Sequence, residues 1–200
     1  LLVASFCEAV NLRSDQLLLE YLGRGGELGA YAFAARIAEA TFFLPAVYAA
    51  SRFPRMLQAS KQSREALYEN LRSLNRRLFL GGTTVAVLTA IGSGFFIPLV
   101  LGPEYEQAVG IVAVLSISVP LIYVRAALSK WILVSGGLHL SLVTHAFGAC
   151  TNVALNLVFI PEWGALGAAW ATVVSYAAAS ILALVVDRSG REYIRNAFVH

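Results

Sequence analysis

The chain has 200 residues, 58% of them hydrophobic and only 14% charged, with a formal net charge of +3 and a mean hydropathy of +0.69. Soluble domains carry about 25% charged residues, so this chain is short of the polarity that a water-facing surface needs, whereas a surface solvated by lipid does not need it. Its lysines and arginines gather at the ends of apolar runs, which argues against the continuous basic face of a nucleic-acid binder.

Crossing the hydrocarbon of a bilayer takes about 20 mostly apolar residues. On that measure the sequence predicts an all-α integral membrane protein, a bundle of about six transmembrane helices forming a single lobe over residues 1–200. The first predicted span runs near Leu1–Leu22. It carries Glu8, Asn11 and Asp15 on one stripe and Arg13, Gln16 and Glu20 on nearly the opposite one. A helix polar on two sides is not a lipid-facing wall, and it fits between a packed bundle and a hydrated cavity. Glu8, Arg13 and Asp15 also interrupt this run too often for a cleavable signal peptide. The start at Leu1, in mid-helix, reads as a fragment of a longer protein.

The second span, Leu28–Leu57, is long and contains Pro45 and Pro54, so a kink is expected within it. Arg36 and Glu39 lie three apart on one face, as a local ion pair or as cavity-lining groups. Arg52 and Arg55 near its end suit headgroup contact. The segment Ser60–Arg77 is basic. The third, fourth, fifth and sixth spans are Leu78–Leu101, Ala108–Val134, Leu138–Ile160 and Ala165–Val186. Gly102-Pro103, Ser135-Gly136-Gly137 and Pro161 to Gly164 mark tight turns between them. Asn152 and Asn156 share a face of the fifth span, as interhelical hydrogen-bonding groups or as cavity lining. The sixth pairs small residues four apart (Gly164/Ala168, Gly167/Ala171, Ala171/Ser175), the pattern by which membrane helices approach closely. Of Trp131, Trp163 and Trp170, two lie near predicted helix ends, where indole suits the interface.

Basic residues mark the cytoplasmic side. Ser60–Arg77, the region of Arg125 and Lys130, and the tail with Arg188, Arg191 and Arg195 belong inside. Gly102–Gln107 and Pro161–Gly164 carry acids only and belong outside, as does Gly23–Glu27. Both ends of the segment are then cytoplasmic. Cys7 and Cys150 sit in apolar runs and read as packing residues. His139, His145 and His200 lack metal spacing, GRGGELG is not a dinucleotide fingerprint, and no nucleophile–base pair stands out, so neither an enzyme nor a resident cofactor or metal is expected.

Three segments together resemble the polysaccharide, or O-antigen, flippase branch of the multidrug/oligosaccharidyl-lipid/polysaccharide exporter superfamily. In RSDQLLLEYLGRGGELGAYAFAARIAEATFFLPAVYAASRFPRML, Asp15 precedes a G-x-Y-x-x-A pattern (Gly29, Tyr31, Ala34). A charged helix with Arg36 and Glu39 follows, then Pro45, then Phe53-Pro54 ahead of a basic segment. LVLGPEYEQAVGIVAVLSIS is similar to the family's L-x-G-x-x-Y-x-x-A turn. NVALNLVFIPEWGALGAAWATVVS is similar to its N-x-x-x-N-x-x-x-I-P-x-x-G-x-x-G-A-A-x-A-T pattern, the most specific of the three.

The family is built from two six-helix lobes, and this chain resembles the C-terminal one. The resemblance implies a bacterial inner-membrane protein that flips a polyprenyl-diphosphate-linked oligosaccharide for cell-surface polysaccharide synthesis. Alternating access would work against a missing N-terminal lobe, with membrane lipids and polysaccharide polymerase machinery as further partners. Arg13, Arg36 and Arg52 are the candidates for the diphosphate, since a guanidinium fork binds phosphate bidentately. Asp15, Glu8 and Glu39 are the candidates for coupling to a proton or sodium gradient. Asn11, Asn152 and Asn156 are cavity or helix-contact candidates. Competing readings are cation-coupled export of small drugs and a non-transporting scaffold of a glycan-assembly complex. An integral-membrane transferase would need larger outside loops than these.

Overall fold

A computed structural model describes residues 2–102, 105–186 and 188–198. The described residues are all-helical: α1 Leu2–Tyr21, α2 Gly25–Glu39, α3 Phe43–Gln62, α4 Arg64–Leu101, α5 Glu106–Ser116, α6 Val119–Ser135, α7 Leu138–Val186 and α8 Arg188–Phe198. Four helical stretches are long and apolar enough to cross a membrane: Gly25–Gln62, Arg64–Leu101, Glu106–Ser135 and His139–Ile181. They point to a multi-pass membrane protein. The expectation of six separate spans is met in part. α1 is helical but too rich in charge to join the four. The fifth and sixth predicted spans are the two arms of α7, separated by a kink at Gly164, within the turn expected over Pro161–Gly164, where the chain doubles back on itself.

The doubling back is visible in contacts between the two arms of α7. A straight helix of 49 residues would be about 74 Å long. Yet the Asn152 amide reaches the Ser175 hydroxyl at 3.4 Å. A Cβ on Gly148 would lie 3.0 Å from that of Ala179, and one on Gly167 would lie 2.2 Å from the Phe159 carbonyl. All three pairs close on Gly164, whose φ of 57° and ψ of −135° depart from the helix. Positive φ suits a residue without a side chain, and Pro161 just before it lacks the N–H that helix continuation needs. The small residues expected to allow close packing do so: Ala165, Ala168, Ala171 and Ser175 are fully buried.

Two other helices break where proline predicts, though not always at the expected proline. The second span is interrupted at residues 40–42, between α2 and α3. Pro45 cannot donate to the carbonyl of Thr41 and its ring crowds that carbonyl. The Thr41 oxygen instead accepts from the Leu44 amide and from the Tyr123 hydroxyl of α6, each at 3.3 Å. Pro54, by contrast, is accommodated inside α3. The fourth span is broken between α5 and α6, just ahead of Pro120 in the first turn of α6. There α4 crosses closely, because a Cβ on Gly82 would meet Pro120 Cα at 2.9 Å.

The basic segment Ser60–Arg77 is not a loop. Ser63 caps α4 by accepting from the Ala66 amide at 3.0 Å, and the helix then runs 38 residues. That is about 57 Å, far beyond the ~30 Å of hydrocarbon. Exposed large apolar residues on α4 begin at Phe79 and continue through Leu80, Leu88, Phe95 and Leu99 to Val100. The charged half before Phe79 therefore projects from the membrane. α8 packs across it: Glu192 accepts from Tyr68 at 2.8 Å and pairs with Arg64 at 3.6 Å. Tyr193 donates to Asn75 at 3.0 Å. Complete burial pushes the Tyr193 phenol well above its ordinary pKa.

Two hydrophobic cores result. One, near this basic end, joins α3, α4, α6 and α8 around Leu71, Leu128 and Trp131. Trp131 is thus a core residue, buried with its ring tilted against Tyr193 (ring centroids 5.2 Å apart). Trp163 is exposed beside the Gly164 turn. The other core joins α1, α2, α5 and α7 around Leu19, Tyr31 and Ile111. Both cysteines are free thiols, and Cys150 is exposed and is not a packing residue.

At the opposite end, the turns expected on one side of the membrane do meet. Glu27 Oε2 accepts from the Ala165 amide at 2.7 Å, at the start of the second arm of α7. A carboxylate there also faces the positive end of the helix dipole. Arg24 pairs with Glu27 at 3.3 Å and donates to the Pro161 carbonyl at 2.8 Å. Gln107 at the start of α5 donates to Glu27 at 3.4 Å. One carboxylate thereby ties three turns together.

Candidate functional site

α1 packs most extensively against α7, and polar side chains hold the contact. Ser14 donates to Asn152 Oδ1 at 2.7 Å. The Asn152 amide also lies 3.5 Å from the Thr172 hydroxyl. Ser175 donates to the Thr172 carbonyl at 2.8 Å, and its hydroxyl stands 3.4 Å from Asn11 Oδ1. In hydrocarbon each of these groups would be costly alone, so their mutual bonding fixes the register of α1 on both arms of α7. Asn156 is fully buried but bonds only within α7, donating to Asn152 Oδ1 at 2.9 Å. Of the two asparagines, only Asn152 joins helices.

Asp15 extends this network toward α2. It is 4% exposed, accepts from the backbone amide of Gln16 at 2.8 Å, and accepts the hydroxyl of the fully buried Tyr31. Tyr31 also stands 3.5 Å from Thr172. Asp15, Tyr31 and Glu39 line a side pocket of about 20 Å³, room for about one water-sized group. Glu39 receives Arg13 across the helix interface at 3.1 and 3.3 Å and Arg36 along its own helix at 3.5 Å. The expected Arg36–Glu39 pair is present, and Arg13 joins it. Each guanidinium candidate on α1 and α2 is therefore already matched to a carboxylate. The side chain of Glu8 lies outside the described residues.

The side pocket shares Asn11, Leu12, Phe42 and Tyr176 with a larger cavity of about 240 Å³ between α1, α3, α6 and α7. Among the described residues its charged and titratable lining is Arg125, Lys130, His145 and Tyr176. His145 Nδ1 lies 2.7 Å from the Ser141 carbonyl, and the Lys130 ammonium stands over the Phe53 ring at 6.0 Å. The break at residues 40–42 places Phe42 and Pro45 in the wall of this cavity.

Arg52 belongs to neither place. It points between α3 and α4, beside Arg55 and Arg77, and donates to the Tyr48 hydroxyl at 3.3 Å. The sequence-derived set is thus divided into the Arg13–Glu39–Arg36 triad, the Asp15–Asn11–Asn152 network and a separate Arg52 pocket. Sequence reasoning missed Tyr31 as the partner of Asp15, and Arg125, Lys130 and His145 as cavity lining. Two bases within the apolar fourth run were the available signal. Reading His145 only for metal spacing set it aside. Among the described residues no group of three or more His, Cys, Asp or Glu forms a metal set. No family model, curated relative or solved structure matches the chain.

Proposed function

We propose that this chain is one lobe of a transporter that flips a polyprenyl-diphosphate-linked oligosaccharide across a bacterial inner membrane. The observation that carries the reading is the cavity between α1, α3, α6 and α7, where Arg125, Lys130 and His145 gather and no carboxylate is present among the described lining residues. A cavity of that sign inside a membrane bundle suits an anionic group and repels a cation, which favours phosphate over a cationic drug. The three motif resemblances support the same substrate class. At about 240 Å³ the cavity is smaller than the ~300–1,000 Å³ of drug-sized sites. It takes the diphosphate, while the sugars extend toward a second lobe and the polyprenyl tail stays in lipid.

Within this reading Arg125 and Lys130 make the first contacts with phosphate. Arg13 and Arg36 are held in reserve by Glu39, and become available when that carboxylate is protonated or binds a cation. Asp15 and Glu39, sharing the side pocket that adjoins the cavity, are the coupling groups. The basic end faces the cytoplasm and the end tied by Glu27 faces outward.

The test is flipping in liposomes by the chain assembled with its second lobe, followed by access of the sugar to an external reagent. Arg125→Gln and Lys130→Gln each slow flipping by about tenfold, the loss of one charge-assisted contact. Full-rate flipping by the Arg125→Gln/Lys130→Gln double variant removes these residues from the mechanism. Export of a small organic cation without lipid flipping replaces the reading with drug efflux.

A further inference from the structure

Between α3 and α4, away from the cavity just described and sharing none of its lining, lies a pocket of about 130 Å³. Its polar lining is Tyr48, Arg52, Arg55, Asn70, Ser73 and Arg77. Three guanidinium groups converge there, and none of them has a carboxylate partner within ion-pair distance among the described residues. Arg52 and Arg77 both donate to the single hydroxyl of Tyr48, at 3.3 and 3.5 Å. Arg52 also lies over the Tyr48 ring, 5.3 Å from its centroid. Like charges three apart on a helix, with a third brought in from the neighbouring helix, repel one another. Long side chains at a surface are free to swing apart, yet Arg52 and Arg77 are gathered by one tyrosine that cannot neutralise them, and Arg55 lines the same pocket. Elsewhere the fold does neutralise its arginines, as Glu39 does for Arg13 and Arg36 and Glu192 for Arg64.

The depth of the pocket narrows the ligand. On α4 the exposed apolar surface begins at Phe79, two residues beyond Arg77, and on α3 it includes Phe43, Leu44 and Val47 just before Tyr48. The arginines therefore stand at the boundary where hydrocarbon gives way to headgroups. Forked guanidinium donors from two helices match the several oxygens of a phosphate better than a single-point anion. The space equals a few waters at about 30 Å³ each, enough for one phosphate-sized group and not for a glycan.

We propose that Arg52, Arg55 and Arg77, organised by Tyr48, form a second phosphate-binding site at the headgroup level, filled by the phosphate of an anionic membrane lipid. The site ties α3 to α4 at the basic end of the bundle through the bound headgroup. It does not rest on the transport reading, because it uses neither the central cavity nor its residues.

The experiment is lipid retention by the full chain in nanodiscs of phosphatidylcholine containing a minority of phosphatidic acid, read by native mass spectrometry. The wild type retains phosphatidic acid in preference to phosphatidylcholine. Arg55→Gln, exposed and without a structural partner to lose, and Arg77→Gln each lower that preference by about tenfold. Arg76→Gln, one position away on α4 and outside the pocket, leaves it unchanged. Inorganic phosphate added at millimolar concentration separates the sources. Displacement of the lipid shows that phosphate alone suffices, and retention shows that the headgroup level of the bilayer is required; either result leaves the site in place. Absence of a phosphatidic acid preference in the wild type overturns the proposal. So does an equal loss in Arg76→Gln, which would mean that diffuse basic charge is responsible.

Discussion

The polar groups of this bundle fall into two regions with opposite solutions to one problem. Between α1 and α7 they are mostly neutral amides and hydroxyls, buried and bonded to each other, with Asn152 at the centre. In the cavity beside them they are the basic side chains Arg125, Lys130 and His145, with no carboxylate among the described lining residues. Neutral groups in a low-dielectric interior can be satisfied by neighbours within a few ångströms. Charges placed there need an ion of opposite sign or water. The first arrangement specifies how helices pack. The second gathers basic side chains around open space, and this is why function is sought in the cavity and not in the network.

The largest expected effect tests the first region. Asn152→Leu removes the partner of Ser14, Asn156, Thr172 and Ser175 at once, and lowers unfolding stability in detergent by about 2 kcal/mol. An unchanged unfolding midpoint would show that the network does not set the packing, and the contrast between the regions would fail. Glu39→Gln comes next. It leaves Arg13 and Arg36 facing one another and costs about 1 kcal/mol, because the triad is partly exposed. The difference shrinks when unfolding is repeated at high salt, as screening requires. Ser175→Ala, losing one hydroxyl at the edge of the network, costs about 0.6 kcal/mol by the same measurement. Lys130→Gln sharpens the contrast from the other side: stability changes by less than about 0.5 kcal/mol, while flipping falls as described above. A loss of stability as large as that of Asn152→Leu would make Lys130 a structural residue.

The turns show how far local signals reach. Gly164 after Pro161, Gly136 after Ser135 and Gly102 before Pro103 were legible as chain reversals, and all three glycines adopt positive φ. Proline was legible as an interruption, but its position was not. The helix is interrupted at residues 40–42, ahead of Pro45, and continues through Pro54; at the first, the Thr41 carbonyl accepts from the Leu44 amide and from Tyr123 of a distant helix. The basic segment Ser60–Arg77 reads as a loop by composition. It is helical because Ser63 caps α4 and because α8 packs on it through Tyr68 and Asn75, contacts that no window of the sequence contains.

The candidate site divides in the same way. The sequence placed Asp15, Arg36, Glu39 and Asn152 inside apolar runs, and burying such groups is costly enough that each had to face protein or water. It also paired Arg36 with Glu39, because three residues along a helix is a fixed distance. It contained no information on which helix stands opposite which. Arg13 reaching Glu39, Tyr31 closing on Asp15, and Arg125, Lys130 and His145 meeting across one cavity are decisions of tertiary packing. The chain by itself settled which segments are helical and apolar, since periodicity and hydrophobicity are local. Only the folded bundle settled which charges meet one another and which basic groups gather at a cavity, since those depend on side chains brought together from distant parts of the chain.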